Sequence, residues 1–252
     1  MILDSHMHLG EDLMFGTDDS EEDILQYMRE NNIDGALLQT GILPRDARQA
    51  TLRLHEMIAR HPGRLWGAAV LSPYLPEEEY SSFMRWAVKT LGFKALKLQG
   101  FAFCASPSSP QARKVFENAA ELDVPVILHT GNGVPVALPS LAIPIARAFP
   151  KVKIVLAHSG GGMYGAEALV AAQVCENIYL ETSWCNVLEL KSFVETLGCE
   201  RIMFGTDVPL NAGVELAKYR ALRLTDAQYE QCFCKTAIEV FRLKINSGCA
   251  TA

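Results

Sequence analysis

VPVILHTGNGVPVALPSLAIPIARAFPKVKIVLAH, residues 124–158, shows the pattern that decides the fold. It begins with the apolar run 124–129 and ends with the apolar run 152–158, and each run closes on a histidine. Short runs that are apolar almost throughout are typical of parallel strands with both faces covered. A helix-like segment separates the two runs, so the stretch predicts one strand–helix–strand unit.

The same alternation repeats about every 30 residues along the chain. Apolar runs occupy 1–6, 34–40, 65–72, 93–99, 124–129, 152–158, 177–183 and 201–207. Strands that alternate with helices imply right-handed crossovers and a parallel sheet. Eight such units in 252 residues predict an α/β fold, a (β/α)₈ TIM barrel of parallel strands, with 1–252 as a single domain. An open doubly wound sheet is the alternative, but no G-x-G-x-x-G follows the first run.

The composition excludes several classes of function. The chain is 49% hydrophobic and 21% charged with a formal net charge of −6, and no run of Lys or Arg forms a basic stripe for nucleic acid. No apolar run reaches the length of a membrane span, and the N-terminus lacks a signal-peptide core. The seven cysteines have no disulfide-type spacing. We expect a soluble, cytoplasmic protein with a small-molecule partner, and a homodimer only because such assemblies are common.

Polar residues fall at the carboxyl ends of the predicted strands, where barrels place their catalytic groups. The first strand ends with His6 and His8, the fifth with His129, the sixth with His158 and the eighth with Asp207. Two residues apart on a strand, His6 and His8 point to the same side. One strand-end histidine is more often structural than a ligand, but four such histidines together with a strand-end aspartate favour a metal site. Three imidazoles and a carboxylate suit one zinc ion, or less selectively iron, manganese or cobalt.

The residues around these positions resemble the amidohydrolase superfamily, in particular the amidohydrolase-related branch that includes aminocarboxymuconate-semialdehyde decarboxylase. The likeness covers nearly the whole chain. Its motifs are DSHMHLG at 4–10, HPGRLWGAAVLSP at 61–73, GFKALKLQG at 92–100, PVILHTG at 125–131, KIVLAHSGGG at 153–162, NIYLETS at 177–183 and IMFGTDVP at 202–209.

The resemblance implies roles for the strand-end residues. His6, His8, His129 and Asp207 would bind one divalent metal, most simply zinc. His158 would be a catalytic residue near the ion that orients water or substrate, and Asp207 would also act as the base that takes the proton of the attacking water.

Two positions on the fourth strand depart from the family pattern. Lys97 could be carboxylated and bridge a second metal, as in many superfamily members, but the resemblance to the one-metal branch favours an unmodified lysine near the mouth that pairs with an acidic neighbour or contacts the substrate. Gln99 stands where family sequences often carry histidine, so substrate contacts there are expected to differ.

Further residues are candidates for substrate contact or support. Arg45, in the loop after the second strand, could meet a carboxylate, although a solvated loop arginine is equally consistent with the sequence. Trp184 could wall the pocket or simply pack. Glu181 is expected to support another site residue rather than to catalyse. The acidic segment 11–19 could cover the mouth, but a solvated surface loop is favoured.

These observations predict a metal-dependent hydrolase that cleaves an ester, lactone or amide bond of a small organic acid. In that reaction His158 would stabilise the developing oxyanion. The alternative is a lyase that uses the same site to decarboxylate a small unsaturated or aromatic acid. A third possibility is a catalytically silent barrel kept for binding, against which the intact set of metal-type residues argues.

Overall fold

The structure is a computed structural model and describes residues 1–14 and 16–245. Each of the eight predicted runs contains a strand, and one more strand lies between the first two. The strands are β1 (Leu3–Asp12), β2 (Thr17–Asp19), β3 (Gly35–Thr40), β4 (Leu65–Val70), β5 (Ala95–Leu98), β6 (Val126–His129), β7 (Ile154–Ala157), β8 (Ile178–Glu181) and β9 (Ile202–Met203).

The sheet has the order β2-β1-β3-β4-β5-β6-β7-β8-β9, and all pairs except β1–β2 are parallel. It curls until the segment after β9 meets β1: the Ser5 amide donates to Phe204 O at 3.0 Å, and Asp207 N donates to His6 O at 2.8 Å. These bonds close the sheet, so the predicted α/β barrel is confirmed. They also place Asp207 beside the histidines of β1.

Helices cover the outside of the barrel. They are α1 (Glu21–Glu30), α2 (Ala47–Arg60), α3 (Glu77–Arg85), α4 (Gly100–Phe103), α5 (Pro110–Leu122), α6 (Ala142–Ala148), α7 (Gly165–Val174), α8 (Val187–Leu197), α9 (Ala212–Leu222), α10 (Asp226–Glu230) and α11 (Thr236–Phe241). Helices α1, α2, α5, α8 and α10 begin at a side-chain cap; in α5, for example, Ser109 is the cap and Pro110 lies in the first turn. Within 1–14 and 16–245, none of these helices has the length and apolar character needed to cross a bilayer.

The barrel interior is divided into an apolar layer and a polar layer. Ala95 and Ile127 belong to a buried apolar cluster that includes Phe241 of α11. Side chains two positions apart on a strand share a face, so Lys97 and His129 lie one step further along the same inner face. The apolar layer, packed against α11, therefore supports a buried polar layer nearer the mouth.

The acidic segment after the first strand differs from the favoured expectation of a solvated loop. β1 continues to Asp12, reverses direction, and pairs with β2 in the register Gly10↔Asp19, Glu11↔Asp18 and Asp12↔Thr17. Backbone pairing of 10–12 with 17–19 thus makes this segment a β-hairpin, a name used here for residues 10–14 and 16–19.

Candidate metal centre

Closure of the barrel brings three potential metal ligands together. Nε2 of His6 lies 3.5 Å from Oδ1 of Asp207, and Nε2 of His8 lies 3.3 Å from the same oxygen. The three ligand atoms lie within 4.8 Å of one another, so one ion could bind all three. His6 and His8 are buried, whereas the Asp207 side chain is 19% exposed toward the mouth.

The other ring nitrogen of each β1 histidine is held from behind. Nδ1 of His6 lies 2.9 Å from Oε2 of Glu181, and Nδ1 of His8 lies 2.8 Å from the carbonyl oxygen of Thr40. A carbonyl can only accept, so Nδ1 of His8 carries the proton, and an ionised Glu181 requires the same of His6. In this tautomer the Nε2 lone pairs of both rings face the cluster.

Two side-chain donors point at those lone pairs. Nζ of Lys97 lies 3.2 Å from Nε2 of His6, and Nε2 of Gln39 lies 3.0 Å from Nε2 of His8. Both rings therefore present an acceptor to the centre of the cluster, and each acceptor already faces a group with an N–H donor. A metal ion would take the place of these donors at the two lone pairs.

Glu181 connects this group to His158. Its carboxylate accepts the backbone N–H of His158 at 3.0 Å, the backbone N–H of Ser183 at 2.6 Å and the Ser183 hydroxyl at 2.8 Å. Since that hydroxyl donates to Glu181, its oxygen accepts from Nδ1 of His158, 2.8 Å away. His158 therefore keeps an unprotonated Nε2. Glu181 has the supporting position that the sequence suggested, and together with His6 and His158 it forms a second group that could hold an ion.

His129 joins the site through His158, with ring centroids 4.8 Å apart. It stacks on Phe101 at 5.7 Å. The ring is buried, and neither Nδ1 nor Nε2 has a hydrogen-bond partner in the described part of the chain. Orphaned imidazole nitrogens in a buried site are costly unless another group, such as a metal ion, satisfies them. The polar layer therefore has the chemistry of a metal site.

Burial and neighbouring charges set the ionisation of these groups. Burial lowers the pKa values of His6, His129 and His158 well below the ordinary histidine value, so the rings are neutral and able to act as ligands. Burial raises the pKa of Glu181 to about 7, opposed by its hydrogen bonds from His158 and Ser183. Burial also lowers the pKa of Lys97 to about 8.

Asp207 shows the opposite balance. Burial alone would raise the pKa of its carboxyl, but positive charge on the neighbouring imidazoles of His158, His8 and His6, whenever they take up a proton, lowers this pKa, and the balance lies well below the ordinary aspartate value. The group is therefore a carboxylate at neutral pH, as a metal ligand must be.

Three residues of the site adopt left-handed backbone conformations. The φ angles are 64° at His158, 63° at Trp184 and 69° at Asp207. Side chains disfavour this region, which costs of order 1–3 kcal/mol for a residue other than glycine and is concentrated at functional sites. The tight turns after β7, β8 and β9 thus direct these three side chains.

A cavity of about 380 Å³ opens above the cluster. It is lined by His8, Gly10, Asp12, Thr17, Asp19, Ile42, Gln99, His129, Asn132, His158, Trp184, Asp207 and Val208. Of the predicted substrate contacts, Gln99 and Trp184 lie in this wall. Both polar atoms of the buried Gln99 amide lack a hydrogen-bond partner within the described residues, and the Trp184 indole donates to Oδ2 of Asp207 at 2.8 Å.

The other two candidates are placed differently. Arg45 pairs with Glu11 at 3.0 Å, has a side chain 77% exposed, and lines a separate cavity of about 510 Å³ between the hairpin and α2. Its loop ends on the outer side of the hairpin, so the structure does not bring it to the histidines. Lys97 is buried beneath the cavity at His6 instead of lining the wall.

The sequence interpretation considered that segment 11–19 covers the mouth but favoured a solvated loop, and it named none of the hairpin residues as part of the wall. Asp12, Thr17 and Asp19 line the cavity. A signal was present, because Asp12 continues the two-residue spacing of His6 and His8 and so shares their face if the strand extends past residue 10.

Several solved structures share this fold. A 2,6-dihydroxybenzoate decarboxylase from Rhizobium is 19% identical, with 96% of this chain and 98% of that chain covered and a TM-score of 0.75. A dihydroxybenzoic acid decarboxylase from Polaromonas, with bound manganese and the inhibitor 2-nitroresorcinol, is 19% identical with 100% and 99% covered and a TM-score of 0.77. A structure named for a proposed 2-pyrone-4,6-dicarboxylic acid hydrolase from Pseudomonas putida is 19% identical, with 97% and 98% covered and a TM-score of 0.72. At these identities the likeness establishes the barrel fold.

The family itself is established by sequence. No curated protein matches the chain at a significant level. A family model described as amidohydrolase, however, matches residues 3–243, nearly the whole chain. The strand-end histidines and Asp207 all fall inside the matched range. The chain is therefore an enzyme of the amidohydrolase family.

Proposed function

We propose that the protein is a metal-dependent hydrolase that cleaves an ester, lactone or amide bond in a small molecule, a broader substrate class than the small organic acid predicted from the sequence. One observation carries the proposal: the Nε2 atoms of two imidazoles and the Asp207 carboxylate converge within 4.8 Å at the floor of a cavity. Such a set of nitrogen and oxygen ligands suits zinc. His6, His8 and Asp207 would hold the ion, and His129, whose two ring nitrogens have no hydrogen-bond partner among the described residues, would supply a further ligand.

When bound, a divalent ion supplies Lewis-acid polarisation of a carbonyl and lowers the pKa of water. The protein contributes orientation and proton transfer. Glu181 and the Thr40 carbonyl fix the rings of His6 and His8, and Asp207 takes the proton of the attacking water and passes it to the leaving group.

For His158 the hydrogen-bond chain favours a different role from oxyanion stabilisation. Its Nδ1–H is used by Ser183, and its lowered pKa keeps Nε2 unprotonated at neutral pH. A ring in this state has no free N–H for an oxyanion. We therefore propose that Nε2 accepts a hydrogen bond from the water or substrate and orients it.

Decarboxylation remains the second candidate. The barrel is similar in fold to structures named as decarboxylases, and buried Lys97 supplies positive charge 3.2 Å from His6 for a substrate carboxylate. Hydrolysis is favoured because no lysine or arginine belongs to the described cavity wall, so beyond the metal cluster nothing there neutralises an acid.

The decisive experiment begins with metal analysis of purified protein, followed by chelation and reconstitution with zinc. We expect one zinc ion per chain, with and without bicarbonate; two ions with bicarbonate would mean that Lys97 is carboxylated. His6→Ala should abolish zinc binding, whereas His158→Ala should retain zinc and lose turnover.

The reaction is then assigned on the zinc-loaded protein. Panels of esters, lactones and amides are incubated in ¹⁸O-labelled water, and panels of hydroxybenzoic acids are followed for carbon dioxide release. Label in a carboxylic acid product supports hydrolysis, and carbon dioxide supports the lyase. Protein that binds no zinc and turns over neither panel would contradict both.

A further inference from the structure

The hairpin extends the face of β1 that carries the two histidines. His6, His8, Gly10 and Asp12 lie at two-residue spacing along β1, with the backbone of Gly10 in a left-handed conformation (φ 87°). The pairing places Asp19 opposite Gly10 and Thr17 opposite Asp12. His8, Gly10, Asp12, Thr17 and Asp19 all line the cavity. The outer wall of the cavity thus continues the face of β1 that carries His6 and His8.

This wall is acidic. Asp12 is buried, and its oxygens accept the backbone N–H groups of Met14 at 2.8 Å and Ile42 at 3.3 Å, which hold the carboxylate in place. Asp19 is half-buried opposite Gly10, a position with no side chain of its own and no atom within 4 Å of where one would begin. Burial and the carboxylates of Asp23, Asp18 and Asp12 raise the pKa of Asp19, against the opposing effect of His8. Negative charge therefore accumulates around the space beside Gly10.

Gln99 is an independent sign of a ligand. Its side chain is 2% exposed, lines the same cavity, and leaves both the amide oxygen and the amide nitrogen without a hydrogen-bond partner among the described residues. A buried amide with neither atom satisfied is costly. The side chain is thus available to hydrogen-bond a polar molecule in the cavity.

We propose that the cavity selects substrates with an ammonium group at the end remote from the reacting bond, received by Asp19 in the field of Asp12, with Gln99 bonding the polar part between. This inference rests on the proposed function, because the reacting bond is taken to lie at the metal cluster. The argument is charge complementarity: away from the metal cluster the described wall presents Asp12 and Asp19 and neither lysine nor arginine. A substrate with a carboxylate at the remote end would instead place its negative charge beside Asp12 and Asp19, with no cationic side chain in the described wall to offset the repulsion.

The test uses three probes that share one zinc-chelating group. Benzohydroxamate, 4-(aminomethyl)benzohydroxamate and 4-carboxybenzohydroxamate differ only in the charge at the remote end. Their affinities for zinc-loaded protein are measured by isothermal titration calorimetry at about 0.15 M ionic strength, where a Debye length of about 8 Å screens exposed charges outside the cavity. We expect the aminomethyl compound to bind about tenfold more tightly than benzohydroxamate, and the carboxy compound about tenfold more weakly.

Two variants test the origin of that order. Asp19→Asn should reduce the preference for the aminomethyl over the carboxy compound by about tenfold. Asp18→Asn is the matched control, because it makes the same charge change one residue away: Asp18 lines the other cavity but not this one, whereas Asp19 borders both. It should change the preference by less than about twofold. Equal binding of the three probes, tighter binding of the carboxy compound, or equal effects of both variants would overturn the proposal.

Failure of this inference and failure of the proposed function give different results. If benzohydroxamate binds the zinc-loaded protein but not the chelated protein, the metal site stands, and only the charge preference is in question. If benzohydroxamate binds neither form, the metal site itself is contradicted.

Discussion

The indole Nε1 of Trp184 donates a hydrogen bond of 2.8 Å to Oδ2 of Asp207, while Oδ1 of the same carboxylate faces His6 and His8. The two oxygens of Asp207 thus have separate partners. The backbone of Trp184 is fixed from below, because its N–H donates to the buried Glu215 carboxylate at 2.9 Å. The Trp184 side chain, 49% exposed over the cavity, therefore acts as a positioning group for Asp207.

Trp184→Phe keeps an aromatic ring but removes the donor. Because groups that orient a metal ligand typically contribute 10–100-fold to metal affinity, and this bond is partly open to solvent, we expect zinc to bind about tenfold more weakly. The melting temperature of the metal-free protein should change by less than about 2 °C. Zinc affinity is measured by competition with a chromophoric chelator.

Trp86→Phe is the matched control, since Trp86 packs under Arg48 on the outside of the barrel, with 4.4 Å between the guanidinium and the ring centroid. Zinc affinity should not change in that variant. If Trp184→Phe also leaves zinc affinity unchanged, the indole has no part in holding Asp207.

Glu181 is the second place where support can be separated from ligation. In Glu181→Gln an NH₂ group replaces one carboxylate oxygen. Each of these oxygens accepts from a donor of His6, Ser183 or His158, so the new NH₂ group would face at least one other donor. We expect zinc affinity to fall 10–100-fold and the metal-free protein to lose about 1–3 kcal/mol of stability. Chelator competition and urea denaturation measure the two effects.

The control for that variant is Glu195→Gln, at an exposed helical carboxylate that pairs with Lys191 at 3.6 Å. Such pairs contribute little, so stability should change by less than about 0.5 kcal/mol. Unchanged zinc affinity in Glu181→Gln would show that the tautomer of His6 does not depend on Glu181.

The sequence predicted the barrel and the grouping of His6, His8 and Asp207, because strand alternation and barrel closure are dictated by local pattern and topology. It could not place Arg45. Arg45, in the loop after β3, pairs with Glu11 of the hairpin, so its position depends on the hairpin. The hairpin in turn forms by backbone pairing of an acidic stretch with little strand propensity. The same pairing explains why Asp19 was missed as part of the cavity wall. Loop conformation depends on such nonlocal contacts, which side-chain periodicity does not report.

Closure of the barrel next to the site also depends on buried polar groups. Asp4 of β1 accepts hydrogen bonds from the Tyr27 hydroxyl and from the Thr206 hydroxyl, the latter at 2.6 Å. Tyr27→Phe leaves the buried carboxylate with one donor fewer, and we expect a loss of about 2 kcal/mol in the free energy of unfolding. Urea denaturation checks this value.

Tyr229→Phe serves as the comparison, since its hydroxyl donates to a neutral carbonyl, that of Tyr219, at 3.0 Å. Its loss should be smaller, about 1 kcal/mol. Equal losses in the two variants would argue that Asp4 gains no special stabilisation from Tyr27.

Lys97 makes the stability of the metal-free protein depend on pH. Burial lowers the pKa of Lys97 to about 8 from its ordinary value of 10.5, although Asp207 and Glu181 oppose the shift. The unfolded chain therefore keeps this proton up to about pH 10.5, whereas the folded protein releases it near pH 8. Below pH 8 the folded state bears the full cost of a buried ammonium group, and this cost disappears as the pH rises from 8 to 10.5.

Lys97→Met removes that cost while keeping a side chain of similar length. A difference of about 2.5 pKa units corresponds to roughly 3 kcal/mol, from which the lost hydrogen bond to His6 must be subtracted. We expect the chelated variant to be about 2 kcal/mol more stable than the unsubstituted chain at pH 7, with the advantage disappearing by about pH 10.5. Urea denaturation at intervals from pH 7 to pH 10.5 measures this.

Lys191→Met, at an exposed lysine, should show no such trend. A Lys97→Met protein that is less stable at pH 7 would mean that attraction to Asp207 and Glu181 outweighs burial, and that Lys97 stabilises the charge of the site before any ion arrives.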